Sequence, residues 1–130
     1  MTQEKERQEI KNLFTDLCKQ PMLPFPQHRK KLEAPLKPGV YIIREGDIVL
    51  HVGRTLRGKK GLHQRLTDHL HGNSSFTQDY LRGKGATLRK GHTHQSLVVE
   101  HPRLRALLEA YATGTLCPKH IGLGISNVTH

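Results

Sequence analysis

Two short apolar runs, residues 40–43 and 48–52, flank the turn-forming triplet Glu45-Gly46-Asp47, and no other feature limits the fold of this chain as strongly. Runs of β-branched residues on either side of a glycine-centred turn specify a β-hairpin. A three-residue loop centred on Gly46 sets Arg44 opposite Ile48 and Tyr41 opposite His51. Alternation then gathers Val40, Ile42, Ile48, Leu50 and Val52 on one apolar face, and Tyr41, Ile43, Val49, His51 and Gly53 on the other. A two-residue loop would mix the two sets. The expected register therefore places a phenol and an imidazole side by side on one surface of a small sheet.

Around this hairpin the periodicities are helical. Ile10, Leu13, Phe14 and Leu17 predict an amphipathic helix over residues 3–19. Pro21, Pro24 and Pro26 then make residues 20–38 an extended connector that carries the basic cluster at 28–31. Leu62, Leu66 and Leu70 predict a helix over residues 62–71 closed by Gly72, with Arg65 and His69 one turn apart on another face. Ser74 or Ser75 could cap a short helix running to Leu81, and residues 96–100 suit a third strand. Pro102, followed by Leu104, Leu107, Leu108 and Tyr111, gives the clearest helix, expected to close near Gly114. The fold class is α+β: a small three-stranded antiparallel sheet flanked by helices, with an N-terminal helix and an extended connector over residues 1–37 ahead of a unit at 38–130.

The chain has 130 residues, with 21 Lys+Arg against 11 Asp+Glu and a formal net charge of +10. That excess favours a polyanionic partner, nucleic acid before an acidic membrane surface. No run reaches the roughly 18 apolar residues needed to cross a bilayer, and residues 1–11 are polar and charged, so no secretory signal is expected there. Cys18 and Cys117 lack paired spacing, as expected of a reduced, cytoplasmic protein.

Phosphodiester hydrolysis needs a base for water, a cation near the non-bridging oxygens and, in most cases, a metal held by a carboxylate. Tyr41 and His51 are candidate bases, Arg54 and Arg65 candidate cations, and Glu109 the candidate metal ligand, with Glu100 a competing carboxylate. A solvated phenol near pKa 10 needs help to ionise, whereas an imidazole near 6.5 is already mostly neutral at pH 7. Each residue has a plainer alternative: Tyr41 as packing, His51 and Arg65 as solvated surface groups, Glu109 paired with Arg105 one turn back. Two basic, glycine-containing loops suit phosphate tracking, through Arg57, Lys59 and Lys60 in the first and Arg82, Lys84, Arg89 and Lys90 in the second. Three Tyr, three Phe and no Trp argue against a stacking platform for single strands. The pairs His69/His71 and His92/His94 lack the partners of a structural zinc site.

Taken together, these pieces resemble the GIY-YIG nuclease family. Gly39-Val40-Tyr41 matches its first element and His51-Val52-Gly53 its second, continued by Arg54-Thr55. The segment from Leu62 through Arg65 to His69 resembles the helix bearing the family's arginine, with a histidine four residues on. Leu107-Leu108-Glu109 and then Pro118 resemble the helix bearing the metal-binding glutamate and the proline beyond it. The match covers residues 38–120.

The resemblance implies hydrolysis of DNA with one divalent ion, magnesium or manganese, and the expected form of the DNA is duplex. It implies Arg65 as stabiliser of phosphate charge, Glu109 as metal ligand, and Tyr41 as the residue that activates or positions water, with Arg54 and His69 in the same site. Two departures stand out: His51 occupies the place of the second tyrosine, and the late asparagine is absent, with His120 or Asn127 as candidate substitutes. The alternative reading is a nucleic-acid-binding module that keeps the fold without turnover. Recognition of a long site would need the N-terminal residues, a homodimer or an accessory protein.

Overall fold

The computed structural model describes residues 2–56 and 60–122. Helix α1 (Gln3–Lys19) leads through strand β1 (Leu23–Pro24) to a hairpin of β2 (Gly39–Glu45) and β3 (Ile48–Arg54). Helices α2 (Gly61–Leu70) and α3 (Ser75–Asp79), a 3₁₀ turn (Gly85–Arg89), strand β4 (His92–Val98) and helix α4 (Pro102–Leu116) follow. The strands form one antiparallel sheet in the order β1-β4-β2-β3. The fold class is α+β as expected, but the sheet has four strands, because the connector supplies β1, which pairs Leu23 with His94.

The hairpin departs from the expected register. Tyr41 pairs with Gly53 and Ile43 with His51, while Arg44 pairs with Val49 and Glu45 with Ile48. The loop is thus two residues, Gly46-Asp47, with Gly46 at φ 57° where a tight hairpin turn favours glycine. A bulge at Leu50 absorbs the mismatch that such a loop would otherwise create. It turns Leu50 toward the layer of Tyr41 and Ile43, and leaves Val49 beside Val40, Ile42 and Val52. Tyr41 and His51 still share a face, as diagonal neighbours rather than a direct pair.

Both faces of the sheet are covered. Tyr41, Ile43 and Leu50 pack under Leu62, Leu66 and Leu70 of α2, Phe76 of α3 and Phe25 of the connector. Val40, Ile42 and Val52 pack against Leu17 of α1 and Leu108 and Ala112 of α4. This two-sided burial explains why residues 40–43 are a continuous apolar run: β2 is one of the two inner strands. Helices α1 and α4 meet edge-to-face through Phe14 and Tyr111, with ring centroids 5.3 Å apart, and through a two-bond contact from Arg103 to Glu6.

The third long strand begins earlier than expected, at His92. Its first half is polar, and those groups are used: Gln95 accepts from Arg44 and donates to the Gln20 carbonyl, and His94 packs edge-on against Phe25. Helix α4 runs through Gly114 to Leu116 and stops where Cys117 takes the left-handed conformation. Beyond it the chain returns to the free edge of β3, where Lys119 and His120 donate their N–H groups to the carbonyls of Val49 and Leu50. No helix among the described residues is long and apolar enough to cross a membrane.

Candidate active site

Tyr41 is fully buried, and its hydroxyl lies 2.5 Å from Nε2 of His69, itself fully buried on α2. Nδ1 of His69 lies 2.6 Å from Oγ of Ser74, the N-cap of α3. Proton positions follow from counting donors. Oγ1 of Thr77 donates to the His69 carbonyl, so Ser74 donates to Thr77 and must accept from His69. His69 therefore carries its proton on Nδ1, and Nε2 accepts the Tyr41 hydroxyl. Burial depresses the His69 pKa well below its ordinary value, an effect reinforced by His51 and Arg65. Burial likewise raises the Tyr41 phenol well above 10 and outweighs the opposing pull of the Arg65 guanidinium. The phenol is a neutral donor, not a phenolate.

His51 occupies the next position toward the sheet edge. Its ring stacks on Phe76 at 4.8 Å and stands 5.2 Å from His69 and 6.0 Å from Tyr41. Burial, then the charges of His120 and Arg65, lower its pKa to about 3, so the ring is neutral at pH 7. Nδ1 of His51 lies 3.1 Å from Nδ1 of His120, whose Nε2 lies 3.3 Å from Oδ2 of Asp79. Gly53 completes this wall, because a Cβ there would fall 2.2 Å from the Tyr41 hydroxyl oxygen.

These groups open onto a cleft of about 480 Å³ whose lining includes Tyr41, His51, Arg54, Arg65 and Glu109. Five expected site residues, drawn from β2, β3, α2 and α4, thus share one concave surface; His69 stands behind it as the partner of Tyr41. Glu109 does not pair with Arg105. Arg105 is buried and donates to the carbonyls of Thr55, Val99 and Glu100, tying α4 to the end of β3. Oε1 of Glu109 instead lies 3.3 Å from Nε of Arg54, both side chains about one third exposed. Burial raises the Glu109 pKa against the opposing pull of Arg54 and Arg65.

A lone carboxylate in an open cleft suits a hard, largely hydrated divalent cation such as magnesium, which keeps several waters and needs few protein ligands. It does not suit a zinc cage. No group of three or more metal-ligating side chains occurs among the described residues. The His92/His94 pair is absorbed in β4, and His71 is exposed.

The basic residues are dispersed. Arg57, Lys59 and Asn127 lie outside the described residues. Lys60 is exposed at the start of α2 and Arg82 is exposed at φ 54°. Lys84 and Lys90 line a second groove beside the end of α2, while Arg89 is partly engaged with the Pro26 carbonyl. Glu100 faces Lys37 at 3.9 Å on the surface and is not part of the cleft. Ser74, Thr77 and Asp79 enter the network without any forewarning in the sequence beyond the capping signal at Ser74.

No family model matches the sequence, and no curated protein does. Among solved structures, the chain is similar to the GIY-YIG N-terminal endonuclease domain of UvrC from Thermotoga maritima. The structure of that domain bound to its catalytic divalent cation, magnesium, matches with 22% identity and a TM-score of 0.52, over 93% of this chain and 100% of that one. A point mutant of the same domain bound to its catalytic divalent cation matches with 24% identity and a TM-score of 0.51, over 93% and 100% of the two chains. The chain has the GIY-YIG endonuclease fold.

Proposed function

We propose that this chain is a GIY-YIG nuclease that hydrolyses phosphodiester bonds in duplex DNA with one divalent ion held by Glu109. The observation that carries the reading is the convergence of Tyr41, His51, Arg54, Arg65 and Glu109 on one cleft. Neutral His51 takes a proton from the attacking water, a role worth about 100- to 10,000-fold in rate. The Tyr41 hydroxyl, held by His69, orients the reacting oxygens. Arg65, and the terminal nitrogens of Arg54, meet the charge that builds on the phosphate. Magnesium or manganese at Glu109 would supply further positive charge at that oxygen. The exposed cations Lys60, Arg82, Lys84 and Lys90 would track the backbone, giving affinity without sequence reading. Specificity for a long site would fall to the N-terminal residues, a second copy or an accessory protein.

One observation favours the second reading, a binding module without turnover: Arg54 already occupies one oxygen of Glu109. Incubation with supercoiled plasmid separates the two. The nuclease reading expects nicking with magnesium, none with chelator, and at least about a 100-fold loss in Glu109→Gln with the circular dichroism spectrum retained. Undiminished nicking by Glu109→Gln would reject its assignment. Binding whose log affinity falls with log salt at a slope of about 0.9 per phosphate neutralised, with no product under either metal, would establish the module instead.

A further inference from the structure

The reach of His120 into the site is a backbone effect. Its N–H bonds to the Leu50 carbonyl at 2.9 Å, which seats the ring, 1% exposed, between His51 and Asp79. Asp79 ends α3, and its side chain is half exposed. The carboxylate can only accept, so Nε2 of His120 donates to it. In neutral His120 the lone pair is then on Nδ1, which must accept from Nδ1–H of His51. Nε2 of His51 is left as an acceptor, and His51 lines the cleft.

The other side chains facing His51 leave this assignment unchanged, and the His120 backbone, which also faces the ring, favours its protonated form. Tyr41, from β2, spends its proton on His69; His69, from α2, spends its own on Ser74. Arg65, also from α2, acts on His51 only through its charge, and Phe76 of α3 is apolar.

We propose that His120 and Asp79 are positioning residues that hold His51 in the tautomer with an open Nε2 and receive its Nδ1 proton when Nε2 takes one from water. This rests on the nuclease reading with His51 as base. In the step, an O–H bond of water breaks and Nε2–H of His51 forms. Nδ1–H of His51 breaks and Nδ1–H of His120 forms. Hydroxide remains for the phosphorus, and His51 ends neutral. The positive charge ends on His120 beside the Asp79 carboxylate, at the solvent-facing end of the chain of groups. A carboxylate in this place stabilises the imidazolium, as the buried aspartate of a serine-protease triad does for its histidine.

The arrangement predicts two readouts on the full chain. Long-range proton–nitrogen NMR spectra of ¹⁵N-labelled protein at pH 8 should show His51 protonated at Nδ1 and bare at Nε2. Single-turnover plasmid nicking with magnesium should fall at least about tenfold in its high-pH plateau in Asp79→Asn. The same spectra of Asp79→Asn should show the Nδ1 preference of His51 weakened. Asp79→Glu should restore part of both. His51 protonated at Nε2 at pH 8 would overturn the proposal, as would an Asp79→Asn variant with an unchanged plateau and unchanged His51 spectra. A wild-type chain that never nicks would defeat the nuclease reading, while the spectra would still decide the tautomer.

Discussion

Replacing Gly53 by alanine tests whether the Tyr41 pocket is as tight as its geometry requires. The added Cβ would lie 2.2 Å from the Tyr41 hydroxyl oxygen, 2.5 Å from Cζ and 3.0 Å from Cε1. Carbon atoms in contact prefer about 3.5–4.0 Å, so the ring or the strand must shift by roughly 1 Å or more. Tyr41 is fully buried and held to His69 at 2.5 Å, so a ring that moves loses that bond. Overpacking costs about 1–3 kcal/mol and stranding the buried hydroxyl and Nε2 about 1–3 more, so about 2–6 kcal/mol is expected. Urea unfolding followed by circular dichroism gives the loss as a lowered midpoint at constant slope. A double-mutant cycle sharpens the test: Tyr41→Phe should cost less in the Gly53→Ala background than alone, because the 2.2 Å contact disappears with the hydroxyl. Gly114→Ala is the control, since nothing lies within 4 Å of a Cβ there and the helix should gain about 0.4–1 kcal/mol. A Gly53→Ala variant destabilised by less than about 0.5 kcal/mol would refute the packing argument.

Two further outcomes follow from buried polar groups. His51, His69 and His94 are kept neutral by burial, with pKa values lowered to about 3 for His51 and about 4 for His94 and well below 6.5 for His69. Below about pH 6.5 an unfolded histidine takes up a proton that these refuse. Stability should therefore fall from pH 6.5 downward by on the order of 1 kcal/mol each by pH 5.5; equal urea midpoints at pH 7.5 and 5.5 would contradict this. Arg105→Met keeps the buried stem but strips three carbonyls, of Thr55, Val99 and Glu100, of their donor. A loss of about 2–4 kcal/mol is expected in thermal or urea unfolding, and a change under about 0.5 kcal/mol would show those bonds to be expendable.

Features carried by apolar periodicity were legible before any coordinates. Ile10 and Leu17 mark α1, Leu62, Leu66 and Leu70 mark α2, and Pro102 with Leu108 marks α4, because a helix displays its buried stripe directly in its spacing. The hairpin was legible as an element but not in register. A bulge is one extra residue, and the apolar alternation that reveals a strand is blind to it when both faces are buried. The start of β4 was hidden for the opposite reason, since His92, His94 and Gln95 are polar yet buried. Of the site, the residues spaced along one helix or hairpin could be proposed from the sequence. Asp79, Ser74 and the docking of His120 on β3 could not, because they depend on contacts between segments 41 to 69 positions apart, or on a cap used a second time as an acceptor.

The same physical cause sorts the two candidate bases into opposite roles. Removing a group from water penalises its charged form, and the charged form of a phenol is the deprotonated one, whereas that of an imidazole is the protonated one. Burial against α2 and α3 therefore locks the proton onto Tyr41 and keeps it off His51. Arg65 pulls Tyr41 the other way but loses to burial; on His51 it acts in the same direction as burial, so a guanidinium for phosphate charge and an open lone pair for water can share one cleft. A carboxylate at position 51 would attract the Arg65 charge that already acts on His51, and so engage the proposed base and the proposed cation with each other. An imidazole in that place avoids the conflict, but as the proposed base it needs somewhere to send its proton; His120 lies against its Nδ1, with Asp79 on the far side of His120.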